Sequence, residues 1–179
     1  LEFRRVLFRS GITTKETPTK GNTFAIYTGG EKLTDFDLRI DFKIMAGNSG
    51  IQYRSFKKAG KHDGWRIGGY QADFESGDRY SGICYGEAFR GILSLRGQKT
   101  TLSLNDKGKL QKKAETFGDT NEIGKAVKKR EWNSYRIVAD GFNFTHYING
   151  VKTTELIDNE KKTAEQMVCL PSSSTLDLP

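Results

Sequence analysis

The sequence has few of the residues that build covalent or rigid scaffolds, since two of its 179 residues are cysteine and three are proline. Two cysteines cannot form a disulfide framework, and no metal-type cysteine spacing occurs. No apolar run approaches the roughly 20 residues of a membrane-spanning helix. A Gly-rich phosphate loop, a nucleophile elbow, and His-x-x-x-His and Cys-x-x-Cys pairs are also missing. These absences exclude the common nucleotide, protease and zinc sites.

Alternation of apolar and polar residues is frequent, whereas no segment has a convincing helical period. The alternation is clearest at 36–44, which predicts a half-buried antiparallel strand. Turn residues at 47–50 and the extended pattern behind them predict a hairpin with that strand. Later strands at 134–139, 142–148 and 151–157 are separated by Asp-Gly and Asn-Gly dipeptides, which predicts a meander with two-residue turns.

Strands that recur every 8 to 12 residues or so, together with 20 glycines, predict an all-β fold, a jelly-roll sandwich of two antiparallel sheets. The length suits one domain with a real core. Cys84 lies in a strand-like run and is predicted to be a buried thiol. The segment 105–130 breaks the strand rhythm with lysines and glycines, so we predict that it runs over the surface.

The net charge is +7, and the basic residues lie mainly in two segments, 107–113 and 125–130. Neither segment interleaves aromatic residues with the charges, as a platform for stacking nucleotide bases would. Solvated loops are therefore favoured over a polyanion patch, and we expect no nucleic-acid partner.

The segment 69–90 contains the candidate site. Its first strand alternates Tyr70, Ala72 and Phe74 with Gln71, Asp73 and Glu75, so that one face is predicted to meet the core and the other a cleft. An amide and a carboxylate two residues apart can hold neighbouring sugar hydroxyls or ligate a hard cation. Glu87 ends the next predicted strand and Arg90 follows. These two residues line the same surface or simply pair with each other.

Two further residues have both a structural and a functional interpretation. His146 shares a strand face with apolar residues, so it is either a core-edge histidine or a general acid, base or ligand at the rim of a concave sheet. Arg54 shares its predicted strand face with Gln52, and its rigid fork of donors suits a carboxylate or an oxyanion. The alternative for Arg54 is a structural ion pair with Asp73 or Glu75.

Five motifs occur in order: GNTF at 21–24, NSGIQYRS at 48–55, GYQAD at 69–73, EWN with YRIVA at 131–139, and HYING at 146–150. This ordered set resembles the bacterial 3-keto-disaccharide hydrolase domain family over about residues 11–166. The resemblance implies a concanavalin-like jelly roll that is often exported. We therefore expect a periplasmic or extracellular location and a carbohydrate partner.

The resemblance also implies a reaction. A ketone at C3 of a sugar acidifies the hydrogen on C2, so a base can form an enolate that expels the glycosidic oxygen from C1, and water can then add. We hypothesise that His146 or Glu87 is the base or the acid. Asp73 is predicted to be a third catalytic residue. Arg54 or a bound divalent cation stabilises the enolate oxygen, with Asp73 and Glu87 as candidate metal ligands. The predicted substrate-binding residues are Arg54, Gln71, Gln52, Tyr70 and Arg90.

A non-catalytic, lectin-like sandwich is the alternative function. A lectin face relies on exposed aromatic rings, for which Trp65 and Tyr70 are the nearby candidates. The many ionisable groups favour an enzyme.

Both ends of the chain are predicted to be non-native, and the tail departs from the family pattern. LFRS at 7–10 is what CTC TTC CGA TCT encodes, which resembles a translated sequencing adapter, so residues 1–10 are predicted to be non-native. The family usually closes with A-L-Q-L-H-x-G-P, and one coding of the tail, shifted by two bases, translates as A-L-Q-L-H-A-G-P. We predict a domain over residues 11–166 and a frameshifted tail over 167–179 that has lost a histidine. An in-frame read on resequencing would contradict this.

Overall fold

The structure is a computed structural model that describes residues 24, 26, 33–58 and 66–160. The described residues form ten strands and one short helix. In chain order the elements are β1 Phe36–Phe42, β2 Asn48–Lys57, β3 Ile67–Glu75, β4 Cys84–Glu87, β5 Gly91–Ser94, β6 Gln98–Leu104, β7 Leu110–Thr116, α1 Thr120–Gly124, β8 Asn133–Asp140, β9 Asn143–Ile148 and β10 Val151–Asp158.

The strands form two packed sheets, which confirms the predicted all-β jelly-roll sandwich. Sheet A has six strands in the order β1-β8-β9-β10-β6-β7, and sheet B has four in the order β2-β3-β4-β5. Neighbouring strands run antiparallel except β10 and β6, which pair in parallel. Within the described part of the chain, no helix is long and apolar enough to cross a membrane.

The predicted meander is present as β8, β9 and β10. Both residues of the Asn149-Gly150 turn have positive φ, 50° and 82°. A type I′ turn requires this conformation, and asparagine and glycine adopt it at the lowest cost. The sequence therefore sets the register of these strands through local turn chemistry.

The predicted hairpin at 36–54 is wrong. β1 pairs with β8 in sheet A, whereas β2 pairs with β3 in sheet B. The turn between β1 and β2 therefore passes from one sheet to the other. Each strand buries its apolar side chains against the opposite sheet, as the ring of Phe42 on β1 does by stacking on Phe74 of β3 at 4.3 Å. A hairpin would have placed both apolar faces in one sheet.

The segment 105–130, predicted to run over the surface, contains a strand and a helix that its broken strand rhythm does not indicate. β7 forms a hairpin with β6, and α1 begins after Asp119, whose Oδ1 accepts hydrogen bonds from the backbone N–H groups of Asn121 and Glu122. Every residue of β7 is exposed. An edge strand with no buried side is free to be lysine-rich, so it leaves no apolar alternation in the sequence.

The core lies between the sheets and is dominated by aromatic rings. Tyr70 of β3 packs against Phe144 of β9 with ring centroids 4.4 Å apart, and both residues are almost fully buried. Cys84 is a buried free thiol, as predicted, and burial raises its pKa to about 12. β3 lies inside sheet B, so one of its faces packs on the core and the other faces away from sheet A.

Candidate functional site

The face of sheet B that points away from sheet A is polar. The partition of β3 is confirmed, because Tyr70 and Ala72 are completely buried in the core and Phe74 packs against it. The strand register sets Gln52 opposite Gln71 and Gly50 opposite Asp73. On the other side of β3, Tyr85 lies opposite Gln71 and Glu87 opposite Gly69. We call these residues the outer face: Gly50, Gln52, Gly69, Gln71, Asp73, Tyr85 and Glu87.

Three side chains of the outer face form a hydrogen-bonded chain. Gln52 donates from Nε2 to Gln71 Oε1 at 2.9 Å, and Gln71 donates from Nε2 to Asp73 Oδ1. Gly50 leaves the space for this arrangement, since a Cβ there would lie 2.5 Å from the Gln71 Cγ. The sequence Gly-x-Gln on β2 and Gln-x-Asp on β3 therefore encodes one connected polar unit.

Asp73 is the carboxyl group with the most unusual electrostatics on this face. Only 6% of the residue is exposed. Burial raises the pKa of Asp73 to about 6, the negative charges of Glu75 and Glu87 act in the same direction, and hydrogen bonds from Gln71 and Asn48 oppose the rise. A carboxyl that titrates close to neutral pH can both accept and return a proton.

Glu87 pairs with a residue that the sequence analysis missed. Arg66 donates from Nη2 to Glu87 Oε1 at 3.1 Å, and the Glu87 side chain is 12% exposed. The alternative in which Glu87 pairs with Arg90 is not observed, since Arg90 pairs with Asp158 and Glu160. Arg66 directly precedes β3 and its partner lies on β4, so no local pattern in the sequence connects the two.

His146 lies in the core, and the prediction that it stands at the rim of a concave sheet is wrong. It is fully buried, with Nε2 2.9 Å from the Tyr53 hydroxyl and Nδ1 3.4 Å from the Tyr135 hydroxyl. Burial lowers the pKa of His146 to about 3. The structural interpretation therefore holds, and sheet B separates this histidine from the outer face.

Arg54 is not on the outer face either, which corrects the predicted face that it shares with Gln52. Its φ is +45°, and the register of β2 shifts between Tyr53 and Phe56. This bulge turns the side chain toward sheet A, where the guanidinium donates to the Thr34 carbonyl and lies 5.0 Å from the Phe144 ring centroid. Its ion-pair partner is Asp35, not Asp73 or Glu75.

Tyr70 and Arg90 lie on the core side of sheet B, so they do not meet the outer face. Tyr70 donates from its hydroxyl to Asp158 Oδ2 at 2.7 Å, and Arg90 donates to the same oxygen at 2.6 Å and to Glu160. Burial and the Asp158 charge raise the pKa of Tyr70. This cluster links β10 of sheet A to sheet B. Trp65 lies outside the described residues.

The described residues do not fit a divalent cation on the outer face. Asp73 lies four residues from Gly69, the partner of Glu87, so the backbones of the two candidate ligands are about 13 Å apart along the strand direction. Each is already engaged, Asp73 with amides and Glu87 with Arg66. Across the described ranges, no group of three or more His, Cys, Asp or Glu side chains is arranged to hold a metal ion.

Comparison with protein families gives one finding. Residues 5–176 match the model of the 3-keto-alpha-glucoside-1,2-lyase-like domain. The match includes both sheets and the whole outer face. No curated protein matches the chain.

Proposed function

The chain belongs to the 3-keto-alpha-glucoside-1,2-lyase-like domain family, and we propose that its outer face cleaves the glycosidic bond of 3-keto-glycosides. Membership of this family supports a carbohydrate-related function. The observation that supports bond cleavage by the outer face is Asp73, a buried carboxyl whose pKa is raised to about 6 and which two amide side chains hold on that face.

Asp73 is the base of the proposed reaction. Its carboxylate removes the proton from C2 of the keto-sugar, and the electron pair of the C2–H bond moves toward the C3 ketone to form an enolate. Gln71 Nε2 carries two N–H groups, of which one is donated to Asp73. The second lies beside the same carboxylate and suits the enolate oxygen, which gains negative charge in this step.

The protonated Asp73 then acts as the acid. The enolate re-forms the ketone, the C1–O bond breaks, and the leaving oxygen takes the proton from Asp73, which leaves a double bond between C1 and C2. Addition of water places a hydroxyl on C1 and a hydrogen on C2, so the net reaction is hydrolysis. One carboxyl with a pKa close to neutral can perform both proton transfers. The reaction thus needs no contribution from the buried His146.

The experiment is product analysis by NMR after mixing the purified protein with a 3-keto-glucoside. We expect release of the free aglycone, and no reaction of the unoxidised glucoside, whose C2 hydrogen is not acidic. Unchanged keto-glucoside would contradict the proposal. Saturable binding of unoxidised disaccharides without any turnover would instead support a lectin-like module.

A further inference from the structure

Two buried side-chain atoms of the described residues have no hydrogen-bond partner, and both belong to the surroundings of the outer face. They are Gln52 Oε1 and Arg66 Nε. Buried polar atoms in native proteins are nearly always hydrogen-bonded, so an orphaned atom is a marker of an absent partner. One of the two atoms is an acceptor and the other a donor.

The orientation of the Gln52 amide follows from Asp73. A carboxylate accepts hydrogen bonds only, so it fixes the Gln71 amide with its nitrogen toward Asp73 and its oxygen toward Gln52. Gln52 must then present its nitrogen to Gln71, which leaves Oε1 without a donor. The group that completes Gln52 is therefore a hydrogen-bond donor, such as a sugar hydroxyl.

Arg66, in contrast to Gln52, lacks a hydrogen-bond acceptor at its Nε atom. Its guanidinium donates from Nη2 to Glu87, and its Nε–H has no acceptor. Arginine has no acceptor atoms, so only an oxygen with a free lone pair completes this site. The ion pair with Glu87 neutralises the local charge, which favours a neutral oxygen, as in a hydroxyl or a ring ether, over an anion.

The register places the backbones of Gln52 and of Glu87, the partner of Arg66, at different distances from Asp73 along the strands. Gly50 lies opposite Asp73 and Gln52 is two residues further, so Gln52 is about 7 Å from Asp73 along the strand. Glu87, opposite Gly69, is about 13 Å away in that direction, on the other neighbouring strand. A glycoside that places its C2 hydrogen at Asp73 and extends in this direction passes Gln52 first and then reaches Glu87 and Arg66.

We propose that Gln52 and Arg66 are specificity-determining residues for opposite halves of the substrate. Gln52 Oε1 accepts a hydrogen bond from a hydroxyl of the oxidised sugar, and Arg66 Nε donates one to an oxygen of the leaving unit. A leaving unit without an oxygen at this place leaves Arg66 Nε unpaired, so Arg66 discriminates between leaving units that carry such an oxygen and small apolar ones. This inference rests on the proposed function, which supplies the orientation at Asp73.

The experiment compares two substrates, a 3-keto-glucoside with a methyl aglycone and one with a glucose aglycone. The variants are Gln52→Met, which removes the acceptor, and Arg66→Lys, which keeps the charge for Glu87 and removes Nε. The matched controls are Gln111→Met on the exposed strand β7 and Arg39→Lys on sheet A, because both are remote from the outer face.

We expect Gln52→Met to raise KM about tenfold for both substrates, and Arg66→Lys to raise it about tenfold for the disaccharide alone. The controls should match the wild type. Equal effects of Arg66→Lys on both substrates, or no effect of Gln52→Met, would overturn the proposal. If a variant does not fold, deoxy analogues of the substrate replace it. The keto-sugar is deoxygenated to test Gln52, and the leaving glucose is deoxygenated to test Arg66. One deoxygenation should then lower kcat/KM about tenfold in the wild type, and equal rates for all analogues would also overturn the proposal.

A binding measurement separates this inference from the proposed function. Methyl glucoside and an unoxidised glucose disaccharide are titrated into each variant and followed by NMR. If no keto-glycoside is cleaved, the proposed function fails, and the titrations then decide the inference alone. Weaker binding of both ligands by Gln52→Met, and of the disaccharide only by Arg66→Lys, supports it. Binding equal to the wild type contradicts it.

Discussion

Gln71 donates a hydrogen bond from its side-chain amide to Asp73, two residues away on the same face of β3. The bond fixes the carboxylate on the surface of sheet B and opposes the effect of burial on its pKa. In the same strand, Tyr70 and Ala72 are buried in the core. The buried inner face of β3 therefore anchors the strand that carries the Asp73 carboxylate on its outer face.

The pH dependence of the reaction should follow Asp73. In the proposed reaction the carboxylate form of Asp73 is the base, so kcat/KM should rise with pH through an apparent pKa of about 6 and then level off. Gln71→Leu removes a hydrogen bond that lowers this pKa, so the acidic limb should move to higher pH by about one unit. Steady-state pH profiles measure it, with Gln111→Leu as the control. An acidic limb that stays in place in Gln71→Leu would contradict the assignment.

Gly50→Ala should impair the outer face through Gln71. The new Cβ would lie 2.5 Å from the Gln71 Cγ, which forces the amide away from Asp73. We expect a loss of about tenfold or more in kcat/KM. The double variant Gly50→Ala with Gln71→Ala tests the route, because it should be no worse than Gln71→Ala alone. Additive losses would show that Gly50 acts through another contact.

His146 should make the fold less stable in mild acid. Its pKa is lowered to about 3 in the folded protein and is about 6.5 when unfolded. Between these values the unfolded chain binds the extra proton, so the free energy of unfolding falls as the pH drops below 6.5. The loss at pH 5 should be about 2 kcal/mol relative to neutral pH. Urea unfolding of the wild type and of His146→Gln measures it, and an equal pH dependence in both would contradict the account.

The cluster around Asp158 should be important for stability rather than catalysis. Asp158 is fully buried and accepts hydrogen bonds from Tyr70 and Arg90. Asp158→Ala leaves the Arg90 charge without one of its partners, which should lower the free energy of unfolding by about 3 kcal/mol. Tyr70→Phe removes a single hydrogen bond and should cost about 1 kcal/mol. Denaturant titration orders the two variants, and the reverse order would refute the role of Asp158.

Strand alternation and turn chemistry were sufficient to predict much of the fold. The Asn149-Gly150 turn fixed the register of β9 and β10, and the period-2 pattern of β3 separated Gln71 and Asp73 from the core residues. These features are local, because each depends on residues a few positions apart. The pairing of β1 with β8 is not local, and no pattern within either segment indicates it.

The site residues that were mispredicted share one cause. His146 was correctly placed on the apolar face of its strand, but alternation does not tell which face another sheet covers. Arg54 lies within the bulge of β2 and itself has a positive φ, so the strict period of two fails at that residue. Arg66 was missed because its partner Glu87 comes from another strand. Each of these placements depends on packing between segments that are distant in sequence.

The proposed transfer of the C2 proton by Asp73 is tested most directly by the activity of Asp73→Asn on a 3-keto-glucoside. Asparagine keeps the size of the side chain but cannot act as a base at neutral pH. The control is Asp106→Asn in the exposed turn between β6 and β7. We predict that Asp73→Asn folds as the wild type does and loses about a thousandfold in kcat/KM, whereas the control loses nothing. A folded Asp73→Asn variant with wild-type kcat/KM would contradict the account.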